Sequence, residues 1–541
     1  MTEIQFQPFA ECSFERMEVP SKLLVSEGDD LPRTLLKLDE VCYALRHEGL
    51  IGLCSSSDLK KDSAKTSMEL LGYVLPMTPR LLGDPDFLSV HGVRLPYMSG
   101  AMANGIACEK LVIAMGESGL LGSFGAAGLL PDRIEQAIGE IQQALPEGPY
   151  AFNLIHSPAE DAIEQAAAEL FIRHGVRTVE ASAFLDLTPH IVHYRAAGLR
   201  PDSDGGIRIE NRVIAKISRA EVAGKFMRPA PERLLKALLE QGRINSEQAE
   251  LASRVPMADD ITVEADSGGH TDNRPLVALL PSILALRDRI QAEQDYAVQI
   301  RVGAGGGIST PSSTLAAFMM GAAYVLTGSV NQGCVEAEAS EHTKRLLAEA
   351  DMADVTMAPA ADMFEMGVQL QVLKRGTMFP MRAQKLYELY RNFESIDEIP
   401  AEERERLEKQ IFRRSMDRIW EETEAYFMER DLHQIERARN HPKRKMALIF
   451  RWYLGLSSRW SNHGEAGRET DYQIWCGPAM GAFNAWVKGS YLEEPGNRRV
   501  VDLADNLMRG ATYLYRLKQF QTQGVRLPPS CRSFTPAPLQ P

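Results

Sequence analysis

The chain has 541 residues, with 60 Lys+Arg against 73 Asp+Glu and a formal charge of −13. Hydrophobic content of 44% and charged content of 25% are ordinary for a globular chain and argue against wholesale disorder. The acidic balance disfavours a nucleic-acid partner; the densest basic run, RNHPKRK at 439–445, reads as an exposed helix end. The opening MTEIQFQPFAECSFERMEVP carries neither a basic nor an apolar targeting region. No membrane insertion is expected, because the longest apolar run, near 275–286, falls short of the roughly 18 residues a spanning helix needs. Seven cysteines, at 12, 42, 54, 108, 334, 476 and 531, form no CxxC pair. Their odd number and irregular spacing suggest reduced thiols in a cytoplasmic setting, with no zinc or iron–sulfur site and no other metal expected.

In chain order, residues 1–90 mix short apolar runs with turn clusters at 26–30 and 55–57, and read as a small α+β extension. From residue 91 strand-like runs alternate with helical stretches. The strands are expected at 95–98, 121–124, 150–154, 178–180, 213–217, 261–263, 297–302 and 324–327. Helices are expected at 136–143, 160–171 and 314–320, among others. Such alternation gives a parallel α/β fold, either a (β/α)8 TIM barrel or a doubly wound sheet, and eight strands fit the barrel count. Beyond about residue 385 the chain turns helical. Residues 402–434 read as one charged amphipathic helix, with Glu402/Arg406 and Glu405/Lys409 as i,i+4 pairs and Leu407, Ile411, Ile419, Trp420, Tyr426 and Phe427 on one face. The Pro-rich end, PPSCRSFTPAPLQP, reads as loosely ordered. The expected organisation is therefore an extension over 1–90, a barrel over 91–384 and a mainly helical cap over 385–541, packed over the barrel mouth.

Three glycine-rich segments carry the chemistry. VGAGGGIST at 302–310 follows a strand and precedes a helix, but it fails the dinucleotide fingerprint because residue 308 is Ile. What remains is a run of backbone N–H groups at a helix start, suited to an anionic phosphate. GAAYVLTGS at 321–329 is a second such loop, ending in Gly328–Ser329. Two loops one helix and one strand apart match the phosphate site after strands 7 and 8 of a TIM barrel. The third segment, ADSGGHTDNRP at 265–275, has paired glycines, Gly268 and Gly269, that let the backbone approach a flat ligand. It sets His270 at a strand's C-terminal end, where a barrel places acid–base chemistry. No GxSxG occurs, so serine-based acyl transfer loses support.

These pieces together resemble the flavin-dependent 2-nitropropane dioxygenase-like barrels, the group of the nitronate monooxygenases and FMN-dependent enoyl-acyl carrier protein reductases. LPYMSGAMANGIACEKLVIAMGESGLLGSFGAAG is similar to the group's opening strand–loop–helix–strand, which implies flavin contact at Ala101–Met102. YAFNLI implies a flavin contact at Asn153, and SGGH carries the catalytic His onto His270. AGGGIS and LTGS carry the FMN phosphate loops onto Gly306, Gly307, Gly328 and Ser329. The continuation SGGHTDNRP, the long leading segment and the helical final third look closer to the PfaD family, the stand-alone enoyl reductases of polyunsaturated fatty acid and trans-acyltransferase polyketide synthases. One departure from the nitronate monooxygenase pattern stands out. The flavin-contacting Gln usually found seven residues before the His is here Val263, followed by Glu264.

The resemblance implies an FMN-dependent enoyl reductase: NADPH (or NADH) reduces FMN, and hydride passes to Cβ of a trans-2-enoyl thioester on an acyl carrier protein. His270 would donate the Cα proton or polarise the thioester carbonyl. Other synthase subunits are the implied partners, and the oligomeric state stays open, a homodimer included. Lys216, a lone charge in VIAKISR, reads equally as an ion-paired barrel lysine or a catalytic one. The alternatives are a nitronate monooxygenase using O₂ on the same fold, and a non-catalytic flavin-bearing synthase subunit.

Overall fold

A computed structural model describes residues 5–6, 15–20, 30–60, 65–156, 161–430 and 432–539. Cys12, Glu160, most of the turn cluster at 26–30 and the last two residues of the Pro-rich end lie outside the described residues.

Eight parallel strands close into a barrel: β1 (Tyr97–Ser99), β2 (Leu121–Phe124), β3 (Ala151–Ile155), β4 (Thr178–Ser182), β5 (Arg212–Ile217), β6 (Asp260–Glu264), β7 (Arg301–Gly305) and β8 (Val325–Thr327). Each pairs with its neighbour in chain order, and β8 closes onto β1. The fold is a TIM barrel, as the strand count implies. Alternation along the strands divides the side chains. Phe152, Val179, Ala215, Val263 and Ala304 face outward into the main core beneath the surrounding helices.

The inward face changes character from bottom to top. At the bottom Met98, Leu121, Ala151, Ile214 and Tyr324 cluster with Phe87 of the helix Pro85–His91, whose ring stacks on Tyr324 at 4.2 Å. Beside this plug Asp260 accepts from Arg301 at 2.7 and 2.9 Å and is paired with His91 at 2.9 Å, all three buried. Further up, the inward positions become Asn153, Glu180, Lys216, Thr262 and Glu264. The barrel is thus sealed below and polar at its C-terminal mouth.

One strand is displaced from its expected place. Residues 297–302 read as strand and 302–310 as loop, yet β7 runs Arg301–Gly305 and takes in two of the loop glycines. A Cβ on Gly303 would lie 2.5 Å from the Tyr324 ring, so glycine is what lets that ring lie inside the barrel.

The N-terminal segment forms a four-stranded antiparallel sheet in the order Arg16–Pro20, Lys65–Val74, Cys42–His47, Leu50–Ser55. It packs on the long C-terminal helix Val500–Thr522, where buried Arg516 donates to the carbonyls of Leu35, Lys37 and Glu40. The last described residues are docked there too, contrary to the loose order expected of a Pro-rich end. Cys531 is buried, Trp486 donates to the Phe534 carbonyl at 2.9 Å, and the Ala537 N–H to Asn506 at 2.9 Å. The apolar residues between the prolines find a core, and Pro529 opens a single 3-10 turn, Pro529–Cys531.

The expected single helix over 402–434 is also broken. Ala401–Arg406 widens into a π-helical turn, Leu407–Phe412, and stops at Arg413 in a left-handed conformation (φ +55°). The wide turn lets the successive residues Ile411 and Phe412 both enter a second core with Phe364, Phe379, Phe450 and Tyr453. A new helix, Met416–Arg430, then starts with Glu408 accepting the Met416 N–H at 2.7 Å, and Leu432–Arg439 follows. The Glu402–Arg406 and Glu405–Lys409 pairs form nonetheless.

Candidate active site

The two glycine loops stand where a phosphate would be held. After β7, Gly306 and Gly307 take φ of +81° and +70°, the left-handed region that only glycine enters freely. The helix Pro311–Met319 then starts under a Thr310/Ser313 capping box. A Cβ on Gly306 would lie 2.7 Å from the Ala265 carbonyl carbon, whereas Gly307 and Gly328 have nothing within 4 Å, leaving room for a ligand. Among the described residues the buried Ser309 hydroxyl has no hydrogen-bond partner, an orphan that a phosphate oxygen would satisfy. These residues fit the phosphate of a mononucleotide such as FMN.

His270 is carried by a small antiparallel sheet over the mouth. Gly269–His270 pairs with Gln369–Leu373, which pairs in turn with Val355–Pro359. This brings Asp362, which sequence reading missed, to 3.1 Å from His270 Nε2. A carboxylate there accepts from Nε2–H, and among the described residues Nδ1 has no hydrogen-bond partner. The pKa of His270 stands above the ordinary histidine value. Partial burial opposes the charged ring, but the hydrogen bond and charge of Asp362, helped by Glu264, outweigh it, with Lys216 acting the other way. Asp362 is correspondingly held low: burial opposes its charge, and His270 and Arg451 favour it.

Between the glycine loops and His270 lies the polar mouth of the barrel. Lys216 Nζ stands 3.3 Å from Glu264 and 3.9 Å from Glu180. It is an ion-paired lysine, with a pKa raised above its usual value; burial works against its charge and the two carboxylates prevail. Glu180 also accepts the Ala101 N–H at 2.8 Å, so the turn Ala101–Met102 is fixed from across the barrel. Asn153 is buried, its amide donating to the Glu180 carbonyl and the Ser182 hydroxyl at 2.9 and 2.6 Å.

Gly268 takes a different place from the one its motif suggests. A Cβ there would lie 2.8 Å from the Cys476 backbone nitrogen, so its lack of a side chain admits residues 475–477 of the C-terminal third. That strip bridges from Trp475 to Val372 and gives the Cys476 N–H to the Gln371 carbonyl. It reaches both His270's sheet and Ser329, whereas the helix Val500–Thr522 lies along the barrel's flank against Pro311. Sequence reading flagged the glycines, Ala101, Met102, Asn153, Ser329, His270 and Lys216, and Ser309 falls inside the AGGGIS loop without being singled out; Glu180, Asp362 and the 475–477 strip carry no local motif.

Residues 88–388 match the nitronate monooxygenase family. The chain belongs to that family. Residues 393–472 match a second model, the inserted helical domain of [acyl-carrier-protein] S-malonyltransferase. Within the nitronate monooxygenase family its relatives are of the PfaD-like kind. The chain is 50% identical over 497 residues to a polyunsaturated fatty acid synthase subunit of Thraustochytrium sp., covering 90% of this chain and 33% of that protein. It is 46% identical over 433 residues to the polyketide biosynthesis protein PksE of Bacillus subtilis, covering 80% of this chain and 56% of that one. The chain thus spans about a third and about half the length of these two relatives. Among solved structures, the enoyl reductase domain of MlnA from the macrolactin cluster of Bacillus amyloliquefaciens superposes with a TM-score of 0.78 at 39% identity, covering 82% of this chain and 99% of that domain.

Proposed function

We propose that the chain is an FMN-dependent enoyl reductase that reduces trans-2-enoyl thioesters on an acyl carrier protein, with NADPH as reductant, for a polyunsaturated fatty acid or polyketide synthase. The observation that carries this is the His270–Asp362 pair over a mouth bounded by two glycine loops. The likeness to an enoyl reductase domain, 99% of which the match covers, supports the same reading. When bound, FMN supplies hydride chemistry between a reduced nicotinamide and Cβ of the enoyl group.

The residues divide the remaining work. Gly306, Gly307, Gly328 and Ser329, with the Ser309 hydroxyl, hold the phosphate; Ala101, Met102, Asn153 and Gly269 border the ring's place. His270 gives a proton from Nδ1 to Cα, or hydrogen-bonds the thioester carbonyl, while Asp362 orients the imidazole and keeps it charged. The 475–477 strip, packed on Gly268, excludes water from that side. Nitronate oxidation is the weaker reading, because Val263 and Glu264 stand where that chemistry's glutamine would be expected.

The purified protein should show flavin absorption that NADPH bleaches anaerobically and a trans-2-enoyl thioester restores. Restoration by a nitronate with O₂ and not by the thioester would transfer the assignment to the oxidase, and no flavin at all would overturn both.

A further inference from the structure

We propose that Glu180, Lys216 and Glu264 form a charged platform at the barrel mouth that sets the reduction potential of the bound flavin, Lys216 favouring reduction and the carboxylates opposing it. This rests on the flavin reading above.

The three side chains come from adjacent strands, β4, β5 and β6, at inward positions, Glu180 in mid-strand and Lys216 and Glu264 at or next to the C-terminal ends. Interiors of such barrels are normally filled by branched apolar side chains; the lower part of this one holds an apolar cluster beside the mutually paired Asp260–Arg301–His91 group. Burying ions is costly, and well-packed apolar residues generally hold a barrel as firmly as a buried ion pair does. Stability alone therefore gives no reason for three charges here. Glu180 is fully buried; one oxygen accepts the Ala101 N–H, and the other, Oε1, has no hydrogen-bond partner among the described residues and faces Lys216 only at 3.9 Å. Asn153 and Thr262 are neutral neighbours, the Ser267 hydroxyl donates to Glu264 at 3.4 Å, and the charge of nearby His270 is answered by Asp362, so one cation against two carboxylates leaves the platform net negative.

A flavin ring gains electron density when reduced. A fixed cation nearby stabilises that density and a fixed anion destabilises it, most strongly where water is excluded. A net negative platform holds the potential down and makes the reduced ring a stronger hydride donor toward an enoyl group. The turn Ala101–Met102, fixed by Glu180, gives the platform its link to the ring's place.

The test is the midpoint potential of the bound flavin, read by anaerobic titration against reference dyes, together with flavin stoichiometry. Glu264→Gln should shift the potential positive and Lys216→Met negative, each at unchanged stoichiometry. Potentials that do not move, or that move in the same direction, overturn the platform while leaving the flavin reading intact. A wild-type protein without flavin overturns both. Should Lys216→Met fail to fold, with Glu180 left uncompensated, Glu264→Gln decides alone, because its side chain is 20% exposed and tolerates a neutral isostere.

Discussion

The Gly477 N–H donates to the Ser329 hydroxyl at 3.2 Å, tying the C-terminal third to the second phosphate loop. Immediately beside it, Gly477 and Gly268 meet backbone to backbone: a Cβ on Gly477 would lie 2.9 Å from the Gly268 nitrogen. Two segments far apart in the chain thus close one side of the mouth through glycines. Gly268→Ala should force the strip away from His270's sheet at a cost of about 1–3 kcal/mol, the usual penalty of overpacking. Thermal melting should show a lowered midpoint, with easier loss of flavin on dialysis. An unchanged melting temperature would mean that the strip yields freely and closes nothing.

The glycine loops separate two effects. At Gly328 a side chain meets open space and φ is −129°, so Gly328→Asp should fold normally and lose FMN, because its carboxylate occupies and repels the phosphate position. At Gly306 a Cβ meets the Ala265 backbone and φ is +81°, so even Gly306→Ala should destabilise the protein with no flavin present. Flavin content and melting temperature, measured on both variants, check the pair. Full flavin retention by Gly328→Asp would put the phosphate elsewhere.

The barrel was legible because each strand is a short apolar run bounded by glycine or polar turns, which survives even where β7 slides into GAG to admit the Tyr324 ring. His270 was legible because SGGH is a local motif. Its partner was not, since Asp362 lies 92 residues on and arrives through antiparallel pairing of Gly269–His270 with Gln369–Leu373. Lys216 shows in the sequence as a lone charge in an apolar strand, but only barrel closure reveals Glu180 and Glu264 as its neighbours. The helix break at Arg413 was hidden for a related reason: local charge pairing favours one helix, and it is packing of both Ile411 and Phe412 that wins.

Asp260 gives the barrel floor an acid sensitivity. Burial raises its pKa, but Arg301 and His91 overcome that and hold it at about 2 against an ordinary 3.8. A carboxylate depressed in the folded state contributes stability above its unfolded pKa and loses it as pH falls toward the folded value. The contribution, about 2 kcal/mol by linkage, should therefore disappear between about pH 4 and pH 2. Asp260→Asn leaves Arg301 buried without its counter-ion and should cost about 3–5 kcal/mol at neutral pH. Denaturant midpoints across that pH range check both, and an acid limb identical in wild type and variant would remove Asp260 from the account.

Asp362 should govern the pH profile of the enoyl half-reaction. With the His270 pKa raised, the proton-bearing ring predominates below that value, and the rate should fall as pH rises through it. Asp362→Asn removes the partner that opposes the effect of burial. The falling limb should then move to lower pH, with NADPH bleaching of the flavin unaltered. A limb that stays in place would assign the titration to another group.

His270→Ala tests the role assignment itself. FMN should be retained, because the glycine loops after β7 and β8 that would hold its phosphate belong to other segments than the Gly269–His270 strand. Bleaching by NADPH should persist, since that step needs proximity of the two rings more than an acid. Restoration of flavin absorption by an enoyl thioester should slow by about 10²–10⁴-fold, the usual worth of a positioned proton donor. The two half-reactions, followed separately by stopped flow, therefore separate an acid from a packing residue. If neither slows, the Cα proton comes from water or from another group, and the Asp362 pairing serves only to fix the loop. If flavin is lost, His270 holds the cofactor in place, and the proton-donor role falls.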